Sequence, residues 1–114
     1  MLAQNYVNDI SNILVKQVSL LFGSKLQDVI LFGSYARGEA YDCSDIDVMI
    51  IVDMDRTNLN KYKDDMCKIS SDLGMQYNIL ISPVLQSANE FNKFKNDLPF
   101  YRNVFAEGQR LYVQ

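Results

Sequence analysis

Apolar residues recur every three or four positions near the start of the chain, which is the spacing of one face of an amphipathic helix. The pattern predicts a helix over about residues 5–22, and Gly23 with Ser24 marks its end. The expected buried face consists of Tyr6, Val7, Ile10, Ile13, Leu14, Val18 and Leu21.

Three short runs rich in apolar residues predict strands rather than helices. Residues 28–32 are too few for a helix and too apolar for a loop, so they predict a buried strand. Residues 45–53 begin with alternating polar positions and become continuously apolar, which is typical of a central strand covered on both faces with one end in solvent. A third strand is predicted over residues 76–82, ended by Pro83.

Helix signals occupy much of the remaining chain. The spacing of apolar residues predicts a second helix over residues 58–73, closed by Gly74. Residues 87–90, with the sequence SANE, have the spacing of a capping box and predict the start of a short helix. Further helical turns over residues 99–107 and a last strand over residues 110–113 complete an α/β pattern.

Length and composition are those of one compact globular domain. The chain has 114 residues, 48% hydrophobic and 22% charged, so residues 1–114 are expected to form a single domain around one core. Its formal charge of −3, from 11 basic and 14 acidic residues, gives no general attraction to a polyanion. The basic residues are also scattered, and we therefore expect no stable binding of nucleic acid.

Residue types that are absent or rare exclude several kinds of chemistry. Because the chain has no histidine, imidazole-based acid–base catalysis and catalytic triads are excluded. Cys43 and Cys67 lack the CxxC spacing of zinc sites and are expected to be reduced. The sequence shows neither a signal peptide nor an apolar stretch of about 20 residues, so we expect a cytoplasmic chain with no membrane segment.

Candidate chemistry is concentrated between residues 33 and 47. Gly33 directly follows a predicted strand, where its backbone can turn sharply and approach a ligand closely, and Ser34 is placed to open a short helix. Backbone N–H groups at a helix start favour phosphate. Such a turn by itself is more often only a tight turn.

Asp45 and Asp47 open the second predicted strand and strengthen the phosphate interpretation. Side chains at positions i and i+2 of a strand point to one face, about 7 Å apart along the chain, so the two carboxylates converge at one strand end. They repel each other unless a cation lies between them, and Mg²⁺ is typically held by one or two carboxylates and substrate phosphates. The alternative is a solvated acidic strand end without a ligand.

Residues 33–47, GSYARGEAYDCSDID, resemble the signature G-S-x-A-x-G followed by S-D-x-D of the DNA polymerase β-like nucleotidyltransferase superfamily, most closely its minimal nucleotidyltransferase branch. A looser likeness extends through YNILISPV and LPFYRNVFAEG to the end of the chain. The resemblance implies a small mixed β-sheet of about four strands flanked by helices. It also implies transfer of a nucleoside monophosphate, most simply AMP from ATP, to a hydroxyl acceptor with release of pyrophosphate.

The same resemblance implies a role for each residue of the motif. The nucleotide-binding residues would be Gly33, Ser34, Arg37 and Ser44, and the Mg²⁺ ligands and catalytic acids would be Asp45 and Asp47. Arg37 could equally be a solvated loop arginine. Minimal domains of this branch often act as antitoxins that adenylylate a tyrosine of an all-helical HEPN partner, so the resemblance implies a HEPN protein as a possible partner. Whether the chain also forms a homo-oligomer stays open.

The family usually has a third acid on a neighbouring strand, and Asn78 in the predicted strand YNILIS stands where relatives carry Asp. An amide offers an oxygen to a metal, but it brings no charge and cannot act as a base near neutral pH. Asp53 lies about 20 Å beyond Asp47 along an extended strand, which is out of reach. Glu39 and Asp42 are loop acids that could fold over the site, although loop acids are usually solvated.

Three functions are therefore compatible with the sequence. The first is a Mg²⁺-dependent nucleotidyltransferase, most simply one that modifies a bulky acceptor, since 114 residues leave no second domain for an acceptor pocket. The second is a nucleotide-binding module that is catalytically impaired by Asn78 and neutralises a partner by binding it. The third is a small α/β domain with no ligand.

Overall fold

A computed structural model describes residues 4–38 and 45–113 of the chain. Its helices are α1 (Gln4–Phe22), α2 (Ser34–Arg37), α3 (Arg56–Leu59), α4 (Lys63–Tyr77), α5 (Ala88–Phe94) and α6 (Pro99–Glu107). Its strands are β1 (Leu26–Phe32), β2 (Ile46–Val52), β3 (Ile81–Ser87) and β4 (Gln109–Val113). No helix among these residues is long and apolar enough to cross a membrane.

The strands form one mixed sheet in the order β3-β2-β1-β4. Strand β1 is antiparallel to both of its neighbours, β2 and β4, whereas β2 and β3 are parallel. Parallel neighbours need a long connection across the sheet, and here α3 and α4 provide it. The predicted mixed sheet flanked by helices is therefore confirmed.

Both faces of the sheet are covered, and the central strand β2 alternates between them. Val48, Ile50 and Val52 pack in a large cluster with α1 and α4, while Met49 and Ile51 pack in a second cluster with α5 and α6. All five side chains are at most 2% exposed, and burial of each contributes about 1.5 to 3 kcal/mol. We call the surface that carries Met49 and Ile51 the site face, because Asp47 shares its parity.

The second predicted helix differs from the observed one at both ends. The helical segment begins earlier, at Arg56, where the Asp55 carboxylate accepts a hydrogen bond of 2.8 Å from the Asn58 N–H. It does not end at Gly74, which is buried inside α4. Glycine is needed there because a Cβ would lie 2.6 Å from the Ile79 carbonyl oxygen. The helix ends at Asn78, which adopts the left-handed conformation with φ 53° that commonly terminates helices.

The prediction of a strand over residues 76–82 is also wrong, because α4 continues past Gly74 into this segment. Residues 76 and 77 are the last of α4, and β3 begins at Ile81 and continues through Pro83 to Ser87. Proline is tolerated there because β3 is an edge strand of the sheet and does not need a ladder hydrogen bond on its outer side.

The end of the chain follows the predicted pattern with one exception. Pro99 is the first residue of α6, and Gly108 follows its last residue. Ser87 is the N-cap of α5 as expected, but its side chain makes no capping hydrogen bond. The capping box does not form because the Glu90 carboxylate instead accepts hydrogen bonds of 2.9 Å from both Arg56 and the buried Gln86.

Candidate active site

The turn between β1 and α2 depends on a glycine conformation. Gly33 has φ 77° and ψ −155°, a region that is essentially restricted to glycine. Helix α2 then begins at Ser34, as predicted, and its first turn is closed by a hydrogen bond of 3.2 Å from the Arg37 N–H to the Gly33 carbonyl. Gly38 ends this short helix in the left-handed conformation, donating its N–H to the Ser34 carbonyl.

The Asp47 carboxylate packs directly on this turn. Asp47 is paired with Phe32 in the antiparallel register of β1 and β2, which places it level with the start of the turn. A Cβ added to Gly33 would overlap Asp47 Oδ2. Gly33 is therefore required twice, once for its backbone angles and once to leave room for the carboxylate.

Asp47 lies on the site face, and Asp45, which immediately precedes β2, lies close to it. The pKa of Asp47 is raised above its ordinary value of 3.8, first by burial and second by the neighbouring Asp45 carboxylate, while the positive charge of Arg37 opposes the shift. Because the Asp45 carboxylate raises the pKa of Asp47, and Asp47 packs on a backbone turn, a divalent cation bound between the two carboxylates would relieve their repulsion.

Ser82 completes this cluster from the neighbouring strand, although no sequence motif pointed to it. In the parallel register of β2 and β3, Ser82 is the partner of Asp47. Its hydroxyl donates a hydrogen bond of 3.4 Å to Asp45 Oδ2. The available signal would have been the pairing of β3 with β2, which a wrong boundary for β3 concealed.

Arg37 lines an adjacent cavity of about 260 Å³ between the turn and α6. Its guanidinium is 4.0 Å from the Glu107 carboxylate, and both side chains are about half exposed, so this ion pair is weak. The rest of the cavity wall includes Gly33, Phe32 and Phe100. The rings of the two phenylalanines meet edge to face, with 5.8 Å between their centroids. The positively charged Arg37 guanidinium thus lies near both Gly33 and Asp47, where it would pair with a bound phosphate group.

The remaining candidate residues lie away from this cluster or outside the described residues. Asn78 is an exposed helix cap and not a strand residue, so it does not stand beside the aspartates in the sheet as the sequence analysis expected. Asp53 follows the opposite end of β2 and is exposed, in agreement with the prediction that it is out of reach. Ser44, Glu39 and Asp42 lie outside the described residues.

The donor set around Asp45 and Asp47 fits a hard divalent cation. Two carboxylates and a hydroxyl offer only oxygen, which suits Mg²⁺, and no thiol or imidazole competes within the described site. In residues 4–38 and 45–113, no group of three or more acidic, cysteine or histidine side chains comes together. A cation held here would therefore complete its coordination with water and substrate phosphate.

The chain matches the family described as "Nucleotidyltransferase domain" over residues 11–112. Two proteins of Methanocaldococcus jannaschii, both named provisionally as protein adenylyltransferases, are 38% identical over 91 residues and 40% identical over 86 residues. The first alignment covers 80% of this chain and 83% of that protein, and the second covers 75% and 85%.

Two crystal structures of a toxin-antitoxin, one of a mutant and one with AMP-PNP, each match this fold with a TM-score of 0.54. Their sequences are 18% and 19% identical to this chain, and each match covers 91% of this chain and 73% of the solved chain. At this identity the likeness establishes the fold. Since the family match spans nearly the whole chain, and two relatives exceed 30% identity over most of their length, the chain belongs to the nucleotidyltransferase domain family of enzymes.

Proposed function

We propose that this protein transfers AMP from ATP, in the presence of Mg²⁺, to a hydroxyl of a protein acceptor, and that the acceptor is a tyrosine of an all-helical HEPN-type partner. The protein would then act as an antitoxin that inactivates its partner by covalent modification.

One observation carries this proposal: the Asp47 carboxylate is packed against the Gly33 turn, with the Asp45 carboxylate close beside it. A turn that offers backbone N–H groups to phosphate and a pair of carboxylates that attracts a cation are the two halves of a site for a metal-bound triphosphate. Because the Gly33 turn and the Asp47 carboxylate are in direct contact, we infer that the two halves form one site.

In the proposed reaction the acceptor oxygen forms a bond to the α-phosphorus, and the bond from that phosphorus to the oxygen bridging the α- and β-phosphates breaks. Pyrophosphate leaves, and the acceptor proton passes to solvent. Gly33, Ser34 and Arg37 would hold the outer phosphates, and Asp45 and Asp47 would hold Mg²⁺. When bound, Mg²⁺ supplies charge stabilisation to the attacking and leaving oxygens of the in-line displacement.

The names of the relatives support AMP as the transferred group and protein as the acceptor. The fold shared with toxin-antitoxin structures, one of them holding AMP-PNP, supports the partner class. Ser44 is retained as a proposed nucleotide ligand from the motif alone. The cytoplasmic location, the single domain and the lack of stable nucleic-acid binding stay predictions from composition.

The test is transfer of label from α-³²P-ATP to the product of a neighbouring HEPN-type gene, with and without Mg²⁺. We expect Mg²⁺-dependent label that disappears in Asp45→Ala and Asp47→Ala. Asp53→Ala is the matched control, because it removes the same side chain from the opposite, exposed end of β2 and should label normally. Equal labelling by the wild type and Asp47→Ala would contradict the proposal.

A second function is favoured by one specific observation. No third acidic side chain joins Asp45 and Asp47 among the described residues, so a general base for the acceptor proton is missing from that part of the site. On this alternative, the protein retains a nucleotide pocket and neutralises its partner by binding alone. Tight partner binding that is unaccompanied by label and is unchanged in Asp47→Ala would favour it over the enzyme.

A further inference from the structure

Ser82 lies at the proposed cation site, although no motif in the sequence singles it out. It is the partner of Asp47 in the register of β3 and β2. Val84, two residues further along β3, packs in the same cluster as Met49 on the site face. Since alternate residues of a strand share a face, Ser82 and Asp47 project from the same side of the sheet, next to each other.

The Ser82 hydroxyl contacts the other aspartate of the pair. It donates to Asp45 Oδ2 over 3.4 Å, which is long for a hydroxyl–carboxylate hydrogen bond. Asp45 precedes the first residue of β2, so the strand ladder does not by itself fix the direction of its side chain. A donor on the neighbouring strand supplies that restraint and holds the carboxylate towards β3.

The same side chain determines the charge of the site on the β3 side. A serine places no negative charge beside Asp45 and Asp47, and no other acidic group joins these two within the described ranges 4–38 and 45–113. The affinity of an oxygen site for a divalent cation depends on how many ligand charges it holds. A neutral residue here keeps the described site at two carboxylates.

We propose that Ser82 is a positioning residue of the divalent-cation site: it orients the Asp45 carboxylate beside Asp47 and leaves the β3 side of the site uncharged. This inference rests on the proposed function, because it assigns a role within the same site.

The experiment measures binding of Mn²⁺ alone to the whole chain, without nucleotide, from the electron paramagnetic resonance signal of free Mn²⁺. Ser82→Ala removes the donor and is expected to weaken Mn²⁺ binding about threefold to tenfold. Ser82→Thr keeps a hydroxyl on a residue type that strands favour and should restore binding. Ser82→Asp adds a third carboxylate and should strengthen binding about tenfold or more.

Asn78→Asp is the matched control, because it adds the same carboxylate at the exposed cap of α4. It is expected to leave Mn²⁺ affinity unchanged. Urea unfolding without metal gives a second readout. Ser82→Asp should lower the midpoint through repulsion among three carboxylates and recover it when Mn²⁺ is added, whereas Ser82→Ala should keep the wild-type midpoint.

The outcomes separate this inference from the proposed function. If Asp45→Ala abolishes Mn²⁺ binding but Ser82→Ala and Ser82→Asp bind like the wild type, the role of Ser82 is overturned and the proposed site stands. If the wild type binds Mn²⁺ no better than Asp45→Ala, both are overturned. Should Ser82→Asp not fold, the comparison of Ser82→Ala with Ser82→Thr decides, and equal affinities refute the inference.

Discussion

Replacing Gly33 with alanine adds one methyl group at the contact between the β1–α2 turn and Asp47. The backbone angles of Gly33 are nearly inaccessible to alanine, which costs about 1 to 3 kcal/mol. The new Cβ also overlaps Asp47 Oδ2, and turning that side chain away from its rotamer costs about 0.5 to 1.5 kcal/mol. We expect Gly33→Ala to lower the free energy of unfolding by about 1.5 to 4.5 kcal/mol in all.

Gly23→Ala is the matched control for the backbone effect. Gly23 also has a positive φ, 57°, but a Cβ there would meet no atom within 4 Å. Its substitution should therefore cost only the left-handed conformation, about 1 to 2 kcal/mol. The excess loss in Gly33→Ala contains both the more strained backbone region of Gly33 and the contact with Asp47. The contact part should disappear in the double variant Gly33→Ala/Asp47→Ala because the overlapping carboxylate is gone.

Urea unfolding with and without Mg²⁺-ATP measures both the stability and the ligand response. A ligand that binds only the native state stabilises it by about 2.7 kcal/mol at a concentration of 100 times its Kd. The wild type and Gly23→Ala should show this gain, and Gly33→Ala should lose it because the carboxylate and the turn no longer fit together. If Gly33→Ala were no less stable than Gly23→Ala and kept the full gain, our account of the turn would be refuted.

Further expectations concern ionisation and helix α4. Because the pKa of Asp47 is raised in the folded chain, its ionisation destabilises the metal-free protein above its folded-state pKa, and this penalty disappears as the pH falls below 3.8. Asp47→Asn should thus raise the urea midpoint at pH 7 without metal, and a lower midpoint would contradict the assignment. Gly74→Ala should lower the melting temperature, although helix propensity alone favours alanine by about 1 kcal/mol, because its Cβ would press on the Ile79 carbonyl. Asn78→Gly should leave labelling of the partner intact and raise the free energy of unfolding by at most about 1 kcal/mol, since glycine suits a left-handed helix cap better. Loss of label in this variant would show that Asn78 belongs to the site.

Local pattern was sufficient where neighbouring residues in sequence determine the structure. Helix α1 follows from its apolar spacing, and the buried β2 follows from its continuous apolar run. The turn at Gly33 and the proximity of Asp45 to Asp47 follow from short-range geometry, because two backbone angles and a separation of two residues involve no distant contact. These elements also carry the family motif.

Local pattern failed between α4 and β3 because the meaning of a residue there depends on what packs against it. Gly74 was predicted to end the helix, but it lies inside α4, where the absence of a side chain lets the Ile79 carbonyl approach closely. Pro83 looked like a strand end, but it is tolerated on an edge strand. Because of these two errors the strand was predicted to begin too early, so Asn78 was expected to lie at the site.

The sequence by itself determined the fold class, the turn at Gly33 and the two carboxylates, since each depends on residues close together in the chain. Only the tertiary structure decided what faces those carboxylates from the next strand. Ser82 and Asp45 are 37 residues apart in sequence, and their contact exists because α3 and α4 return the chain to lie parallel to β2 in one particular register. A shift of one residue in that register would turn Ser82 to the opposite face of the sheet.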